Sequence, residues 1–311
     1  MSVNNGVVVD PEAPGRLVIR PVAEPAPQRG EAVVRVRAIS LNRGEVRRAG
    51  MAAAGWRPGW DLAGEVERAA ADGSGPRAGA RVVGFLPEGA WAERVAVPTH
   101  ALAEIPDKVT FSQAATFPVA GLTALYALAK AGSVLGRRVL VTGATGGVGD
   151  FAVQLARLAG AHVTASARRA DQAPALRQLG AHEVVVGDEI APAPKYDLIL
   201  ESVGGRTLGT ALAALERGGM CVTFGVSAGA EVTFDARQFF ATGRTTLYGF
   251  YVFTEVGTEG ASVGLRRLAD LVASGQLTPH ISLERPWKEI GQVAQDLIAR
   301  RFPGKAVLTL D

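Results

Sequence analysis

A glycine-rich turn constrains this chain more than any other feature: RVLVTGATGGVG at residues 138–149, followed by DFAVQLARLAGAHV. An apolar, strand-like run enters the turn. The segment that leaves it has helical composition, with Val148, Phe151, Leu155 and Leu158 on or near one stripe. A second strand candidate begins at His162. Strand, glycine turn, helix and strand in this order form the context of a dinucleotide site. Gly146 lets the backbone approach a pyrophosphate, because no Cβ stands in the way. Gly149, with Ala152 and Ala156, lets the helix lie close on its sheet. The helix start then offers free N–H groups and a partial positive charge to phosphate. Ala144 takes the first fingerprint position, giving A-x-G-x-x-G. The candidate cofactor residues here are Ala144, Thr145, Gly146, Gly147, Val148 and Gly149; a purely structural turn is the alternative. Asp150 brings a negative charge to the helix start and is expected to point away from the phosphates.

The end of the second strand discriminates between cofactors. NAD sites place a carboxylate there for the ribose hydroxyls. Residues 164–169 read TASARR, with no acid before Asp171. Ser166, Arg168 and Arg169 suit a 2′-phosphate instead, Arg by its planar, bidentate fork. The expected cofactor is therefore NADPH, against the alternative that these arginines merely solvate a helix start.

The rest of the chain divides by periodicity. Up to about residue 110 it reads as short strands broken by Gly and Pro: 31–42, 62–66, 81–85 and 90–97. In the first of these Val34, Val36, Ala38 and Ser40 share a face opposite Arg35 and Arg37. Residues 112–130 are helical in composition, interrupted at Pro118 and Gly121. From 138 strands (139–142, 162–165, 183–186, 197–201, 220–224, 245–248) alternate with helices (148–159, 173–179, 208–215). That alternation implies a parallel sheet covered on both faces. The tail adds helices at 263–273 and 287–300 and a strand at 306–310. With 311 residues, two domains are expected.

Composition excludes several classes. A net charge of +3 with interspersed signs gives no footprint for nucleic acid or anionic membrane. The single cysteine, Cys221, lies in an apolar run and reads as a core residue; it permits neither an internal disulfide nor a cysteine zinc cluster. The four histidines, His100, His162, His182 and His280, show no ligand spacing. No leader and no membrane-length apolar run is visible, so a soluble cytoplasmic protein is expected.

Several segments together resemble the medium-chain dehydrogenase/reductase superfamily, and within it the zinc-free quinone oxidoreductases that include zeta-crystallin. They are GWDLAGEV at 59–66, GLTA at 121–124, the turn at 144–149, ESVGG at 201–205 and GKAVL at 304–308. The resemblance covers nearly the whole chain. It implies an α/β protein: a GroES-like β-rich catalytic domain (1–112, completed by 251–311) with an inserted Rossmann-fold domain (113–250) and the active site in the cleft. Zinc members of the superfamily hold a catalytic zinc with Cys, His and Cys. Trp60 stands where the His would be, Ala120 where the second Cys would be, and 42–44 offers no thiol, so no metal is expected.

Further site residues follow from the resemblance. Asn42 and Thr123 are placed beside the nicotinamide or its ribose, Asn42 otherwise being a turn residue and Thr123 a helix cap. Val203 joins the cofactor set. Backbone groups of Gly225, Val226 and Ser227 and of Phe250, Tyr251 and Val252 would fix the carboxamide. Many quinone reductases carry a Tyr in the loop corresponding to 42–50; this chain does not. Arg47 or Arg48 is then the candidate to polarise a substrate oxygen, unless both are plain surface arginines. Tyr251 and Trp56 are candidates for the substrate wall. The activity implied is hydride transfer from NADPH to a small-molecule substrate, a quinone or an α,β-unsaturated carbonyl. An enoyl thioester is one alternative, and a non-catalytic NADPH-binding sensor or structural protein is another. Apolar residues 247–253, near the sheet edge, imply a homodimer.

Overall fold

The structure, a computed structural model, describes residues 3–310. It divides into two compact units, Met1–Leu122 with Val256–Asp311, and Thr123–Glu255. The first unit opens with an antiparallel hairpin, β1 (Asn4–Val9) and β2 (Leu17–Val22). β3 (Glu31–Ser40) follows and leads directly into helix α1 (Arg43–Met51). Next come β4 (Asp61–Arg68), β5 (Arg81–Phe85), β6 (Arg94–Pro98) and β7 (Leu102–Glu104).

Helix α1 is a correction to the reading of 42–50 as a loop. Its signal is an Asn-x-x-Glu capping box: Asn42 is the N-cap and Glu45 returns to the Asn42 backbone N–H at 2.7 Å. Two glycines in so short a segment disguise it. Gly44 is there because a Cβ would lie 2.9 Å from the Trp60 ring.

The passage to the second unit runs through α2 (Phe111–Ala115), a π-turn at Phe117–Gly121 and α3 (Leu122–Ala129). Thr123 thus lies inside a continuous helical run, so it does not cap a helix. The second unit then alternates: β8 (Arg138–Val141), α4 (Gly147–Leu158), β9 (His162–Ala167), α5 (Ala173–Gln178), β10 (Glu183–Val186) and β11 (Tyr196–Glu201). It continues with α6 (Gly205–Ala213), β12 (Leu215–Thr223), α7 (Ala236–Thr242), β13 (Thr246–Gly249) and α8 (Val252–Glu259). The chain returns to the first unit through α9 (Ala261–Ala273), β14 (Ile281–Pro286), α10 (Ile290–Ile298) and β15 (Lys305–Thr309).

In the first unit a seven-stranded sheet runs β14-β15-β3-β4-β5-β7, with β6 pairing the start of β3. β15 lies antiparallel to β3, so the last strand of the chain closes the first sheet. β3 is buried on both faces toward its ends, Val33 and Ile39 included, which its alternation alone does not reveal; between them Arg35 is exposed and Arg37 half-buried, as the alternation predicts. Register shifts along β3 and β4 bring the strands very close at Gly64, where a Cβ would meet the Arg35 carbonyl oxygen at 2.0 Å.

The second unit holds a six-stranded, all-parallel sheet in the order β10-β9-β8-β11-β12-β13. Its central strands carry Val139, Leu140, Val141, Leu198, Ile199 and Leu200, all fully buried. The order reverses between β8 and β11. In open parallel sheets ligands bind at the carboxyl ends of the strands flanking such a switch point. α6 stops at Ala213 and β12 starts at Leu215, earlier than the expected 220, because Gly218 and Gly219 are absorbed into the strand. No helix among the described residues is long and apolar enough to cross a membrane.

Candidate functional site: a dinucleotide crevice and a buried polar cluster

The glycine turn leaves β8 at the switch point. Gly143 takes φ +56°, and the Gly146 N–H donates to its carbonyl at 2.9 Å, closing the turn. Gly146 is the N-cap of α4 and no side chain caps the helix there. A Cβ on Gly146 would meet only the Gly143 oxygen, at 3.3 Å, so the space in front of the helix start is open. A Cβ on Gly149 would lie 2.4 Å from that same oxygen and 2.6 Å from the Ala144 Cα. These backbone atoms cannot yield, so residue 149 must be glycine for helix and strand to meet. An open, uncapped helix N-terminus at the switch point fits a diphosphate. Asp150 is buried, and its Oδ1 accepts from Gln154 Nε2 at 3.0 Å, one turn further into the helix.

The Ala144 N–H donates to the Ser166 carbonyl at 3.2 Å, which ties the turn to the end of β9. Ser166 is buried in the strand; Arg168 and Arg169 stand exposed just past it. Arg169 Nε contacts Asp171 Oδ1 at 3.0 Å and holds that carboxyl below its ordinary range by the hydrogen bond first. The first acid after the strand is therefore already engaged, while Arg168 projects from the strand end.

The other sequence-predicted cofactor residues line the same carboxyl edge. Val203 follows β11 and its N–H donates to Glu201 Oε1 at 2.7 Å. Gly225, Val226 and Ser227 follow β12; the Ser227 N–H reaches the Ser202 carbonyl at 3.3 Å, and a Cβ on Gly225 would meet that oxygen at 2.8 Å. Phe250 follows β13, buried and edge-on to Phe224 at 6.4 Å. Tyr251 is exposed and packs against Phe253, and buried Val252 begins α8. Thr123 is buried in α3. Cys221 is a buried core residue of β12, where burial pushes its thiol far up.

Asn42 and Arg47 belong to the first unit. Asn42 does not project freely; its side chain is the hub of a buried cluster. Nδ2 donates to Asp61 Oδ2 at 2.7 Å and to Glu45 Oε1 at 3.0 Å, and Oδ1 accepts from Lys305 Nζ at 2.6 Å. Lys305 also donates to the Leu41 carbonyl at 3.0 Å and lies 3.4 Å from Asp61 Oδ2. Ser40 Oγ donates to Asp61 at 2.6 Å, the Val119 N–H to the other Asp61 oxygen at 3.0 Å, and the Trp60 N–H to Glu45 Oε2 at 2.9 Å. Burial, and next the Asp61 charge, push the Glu45 carboxyl well above the usual range, against the pull of Lys305. Lys305, Asp61 and Glu45 are functional candidates that residue-type reasoning passed over, although the motifs at 59–66 and 304–308 contain two of them. Arg47 is exposed on α1; its neighbour Arg48 stacks over Trp56 at 4.7 Å and faces Glu88 at 3.6 Å.

The donor set at this cluster is wrong for zinc. Trp60 and buried Ala120 offer no ligand atom, and the oxygens of Asn42, Asp61 and Glu45 are taken up by an ammonium and by backbone and side-chain donors. Among the described residues no three His, Cys, Asp or Glu side chains converge as a metal site.

An N-terminal sheet closed by the chain's own tail, with a parallel six-stranded nucleotide-type sheet between, is the architecture of a two-domain dehydrogenase. Comparison agrees. Residues 28–107 match the family model described as alcohol dehydrogenase GroES-like domain, and residues 147–264 match the one described as zinc-binding dehydrogenase. A quinone oxidoreductase of Pongo abelii is 29% identical over 306 residues, covering 93% of this chain and 92% of that one. The solved structure of a mycobacterial quinone oxidoreductase superposes with TM-score 0.88 at 27% identity, over 99% of this chain and 100% of that chain. A mycobacterial structure complexed with NADPH gives TM-score 0.87 at 27% identity, over 98% and 100%. The chain belongs to the medium-chain dehydrogenase/reductase superfamily, in its quinone oxidoreductase family.

Proposed function

We propose that this chain, an NADPH-dependent oxidoreductase, delivers hydride to a quinone or an α,β-unsaturated carbonyl without zinc. The observation that carries the reading is the open, uncapped start of α4 at the switch point, with Ser166, Arg168 and Arg169 at the end of β9 and no free carboxylate there. The backbone at Gly147, Val148 and Gly149 would meet the diphosphate. Arg168 and Arg169 would hold the additional ribose phosphate. Backbone groups of Gly225, Val226, Ser227, Phe250, Tyr251 and Val252 would orient the nicotinamide, which supplies the hydride when bound, with Val203 also beside the cofactor. Asn42, Thr123, Arg47 and Tyr251 remain the residues proposed to face substrate. Asn42 does so as a fixed group, since Lys305, Asp61 and Glu45 lock its carboxamide.

Reduction of a conjugated carbonyl suits a site with this donor set. Charge develops on an oxygen remote from the attacked carbon, and one hydrogen-bond donor can meet it, whereas alkoxide formation from an alcohol calls for a Lewis acid. A homodimer through the β13 edge is part of the proposal. β13 ends the sheet, Leu247 on it is exposed, and Phe240 of α7 is 71% exposed. The test is NADPH and NADH consumption at 340 nm with a panel of quinones, enals and enoyl thioesters, after exhaustive chelation. NADPH-selective turnover of quinones or enals, unaffected by chelator, supports the reading. Tight NADPH binding without turnover of any acceptor would identify a non-catalytic binder, and turnover confined to thioesters an enoyl reductase.

A further inference from the structure

We propose that Glu201 is a positioning residue for the bound dinucleotide: its buried carboxylate fixes, relative to one another, the three loops that leave the carboxyl ends of β8, β11 and β12. The inference rests on the cofactor reading above and assigns it a residue outside the expected cofactor set. Glu201 ends β11 and is fully buried. In the ladder it faces Thr223 of β12, and the neighbouring pair Leu200 and Val141 places Thr142 on its other side.

Each of its oxygens gathers donors from different loops. Oε1 accepts from the Val203 N–H at 2.7 Å, the Gly204 N–H at 3.1 Å and Thr142 Oγ1 at 3.1 Å. Oε2 accepts from the Gly204 N–H at 3.2 Å and Thr223 Oγ1 at 3.3 Å. Thr142 is the last residue before the glycine turn. Val203 and Gly204 form the loop after β11. Thr223 stands two residues before Gly225. One side chain thus touches the roots of three of the loops proposed to hold the cofactor, those after β8, β11 and β12.

The loops also interlock around Glu201's neighbour. Ser202 Oγ donates to the Thr142 carbonyl at 3.1 Å, and the Ala228 N–H donates to the Val203 carbonyl at 2.7 Å. Gly143 is close enough to Ser202 Oγ that a Cβ would lie 2.5 Å from it. A displacement of the 203–204 loop is therefore passed to the loops on both sides.

The chemistry explains why an acid stands here. Every partner is a donor, and only an ionised carboxylate offers acceptors alone, in four directions. Burial raises the Glu201 carboxyl above its ordinary range, opposed by the hydrogen bonds from Val203, Gly204, Thr142 and Thr223. The parallel ladder is complete without this side chain, and an apolar residue would be cheaper to bury in a sheet end. What the carboxylate adds is the register of loops, not of strands.

The test compares Glu201→Gln and Glu201→Asp with Leu198→Ala, a variant that opens a void under the same strand without touching the loops. NADPH affinity is read by cofactor fluorescence titration, folding by thermal melting, and loop order by amide hydrogen exchange. Glutamine would turn a donor toward the ring of donors; aspartate is one methylene too short. Each should weaken NADPH binding at least tenfold and speed exchange at 203–204 and 225–228 together. Leu198→Ala, matched or lower in melting temperature, should bind NADPH within twofold of wild type. If Glu201→Gln does not fold, Thr142→Val with Thr223→Val removes two of the donors and should weaken NADPH binding three- to tenfold. Binding within twofold of wild type in the folded Glu201 variants, or loss tracking melting temperature across all variants, overturns the inference while leaving the cofactor reading intact. Wild type that binds no NADPH overturns both.

Discussion

Replacing Lys305 by methionine tests whether the first unit is closed by its buried polar cluster. Methionine keeps the length of the stem and removes the charge. Lys305 is almost fully buried, and its ammonium has three partners: Asn42 Oδ1 at 2.6 Å, the Leu41 carbonyl at 3.0 Å and Asp61 Oδ2 at 3.4 Å. Removing one partner of a buried ion pair costs about 3–5 kcal/mol, because the other charge stays behind unpaired. Asp61 keeps Ser40, Asn42 and the Val119 N–H, so the loss belongs near the lower end, about 3 kcal/mol or roughly a hundredfold in the folding equilibrium. The loss should depend on pH. Burial and then Asp61 hold the Glu45 carboxyl well above its ordinary range, and Lys305 works against them. Without Lys305 that carboxyl rises further, so the folded variant takes up a proton that the unfolded chain releases. Stability relative to wild type therefore falls as pH rises from the wild-type folded value of Glu45 toward the variant's higher one, and the difference closes again once pH drops below the wild-type value. The assay is urea unfolding followed by tryptophan fluorescence, since all four tryptophans, Trp56, Trp60, Trp91 and Trp287, belong to the first unit. A loss under about 1 kcal/mol at neutral pH, below the range for a broken buried pair, or a loss that grows on acidification, would refute the reasoning.

The remaining predictions concern the second unit. Gly149→Ala puts a Cβ 2.4 Å from the Gly143 oxygen, a backbone clash costing about 1–3 kcal/mol; NADPH affinity by fluorescence titration should fall at least about tenfold as the turn is pushed open. Arg168→Ala with Arg169→Ala removes charged donors worth about 1.5–3 kcal/mol each at a phosphate, so the NADPH-over-NADH ratio of kcat/KM should fall by about a hundred or more while NADH use is spared. Burial first, then His162 and Arg157, hold His182 below its ordinary value, and its Nδ1 accepts the Val163 N–H at 2.9 Å. The unfolded chain thus binds that proton first, and the second unit should lose stability as pH falls through 6.5. His182→Gln should flatten that slope in circular dichroism melts.

The glycine turn and its flanking strands were legible because their constraint is local. Gly149 is demanded by atoms five and six positions away, Ala144 and Gly143, and the strand-turn-helix order shows in the periodicity of 138–158. Helix α1 was hidden for the opposite reason. Gly44 looks like a loop residue until the Trp60 ring, brought up by β4, explains it. The polar cluster was hidden more deeply still. Asn42, Asp61 and Lys305 lie on three separate elements, and only the antiparallel closure of β15 onto β3 brings an ammonium from the chain's end to an amide near its start.

The same distinction separates the two kinds of acid in this protein. Asp171, exposed and engaged by Arg169, could be read as a surface residue from its neighbours alone. Glu45 and Glu201 could not, because what makes each of them tolerable when buried is a set of donors: at Glu45 they come from residues up to 15 positions away, and at Glu201 up to 59. A buried carboxylate ringed by backbone N–H groups cannot drift without leaving several of them unpaired, at a cost of about 1–3 kcal/mol each. That makes such a group a fixed point around which mobile loops can be set. Each unit holds such a group: Glu45 beside the Asn42 hub, and Glu201 beneath the loops after β8, β11 and β12.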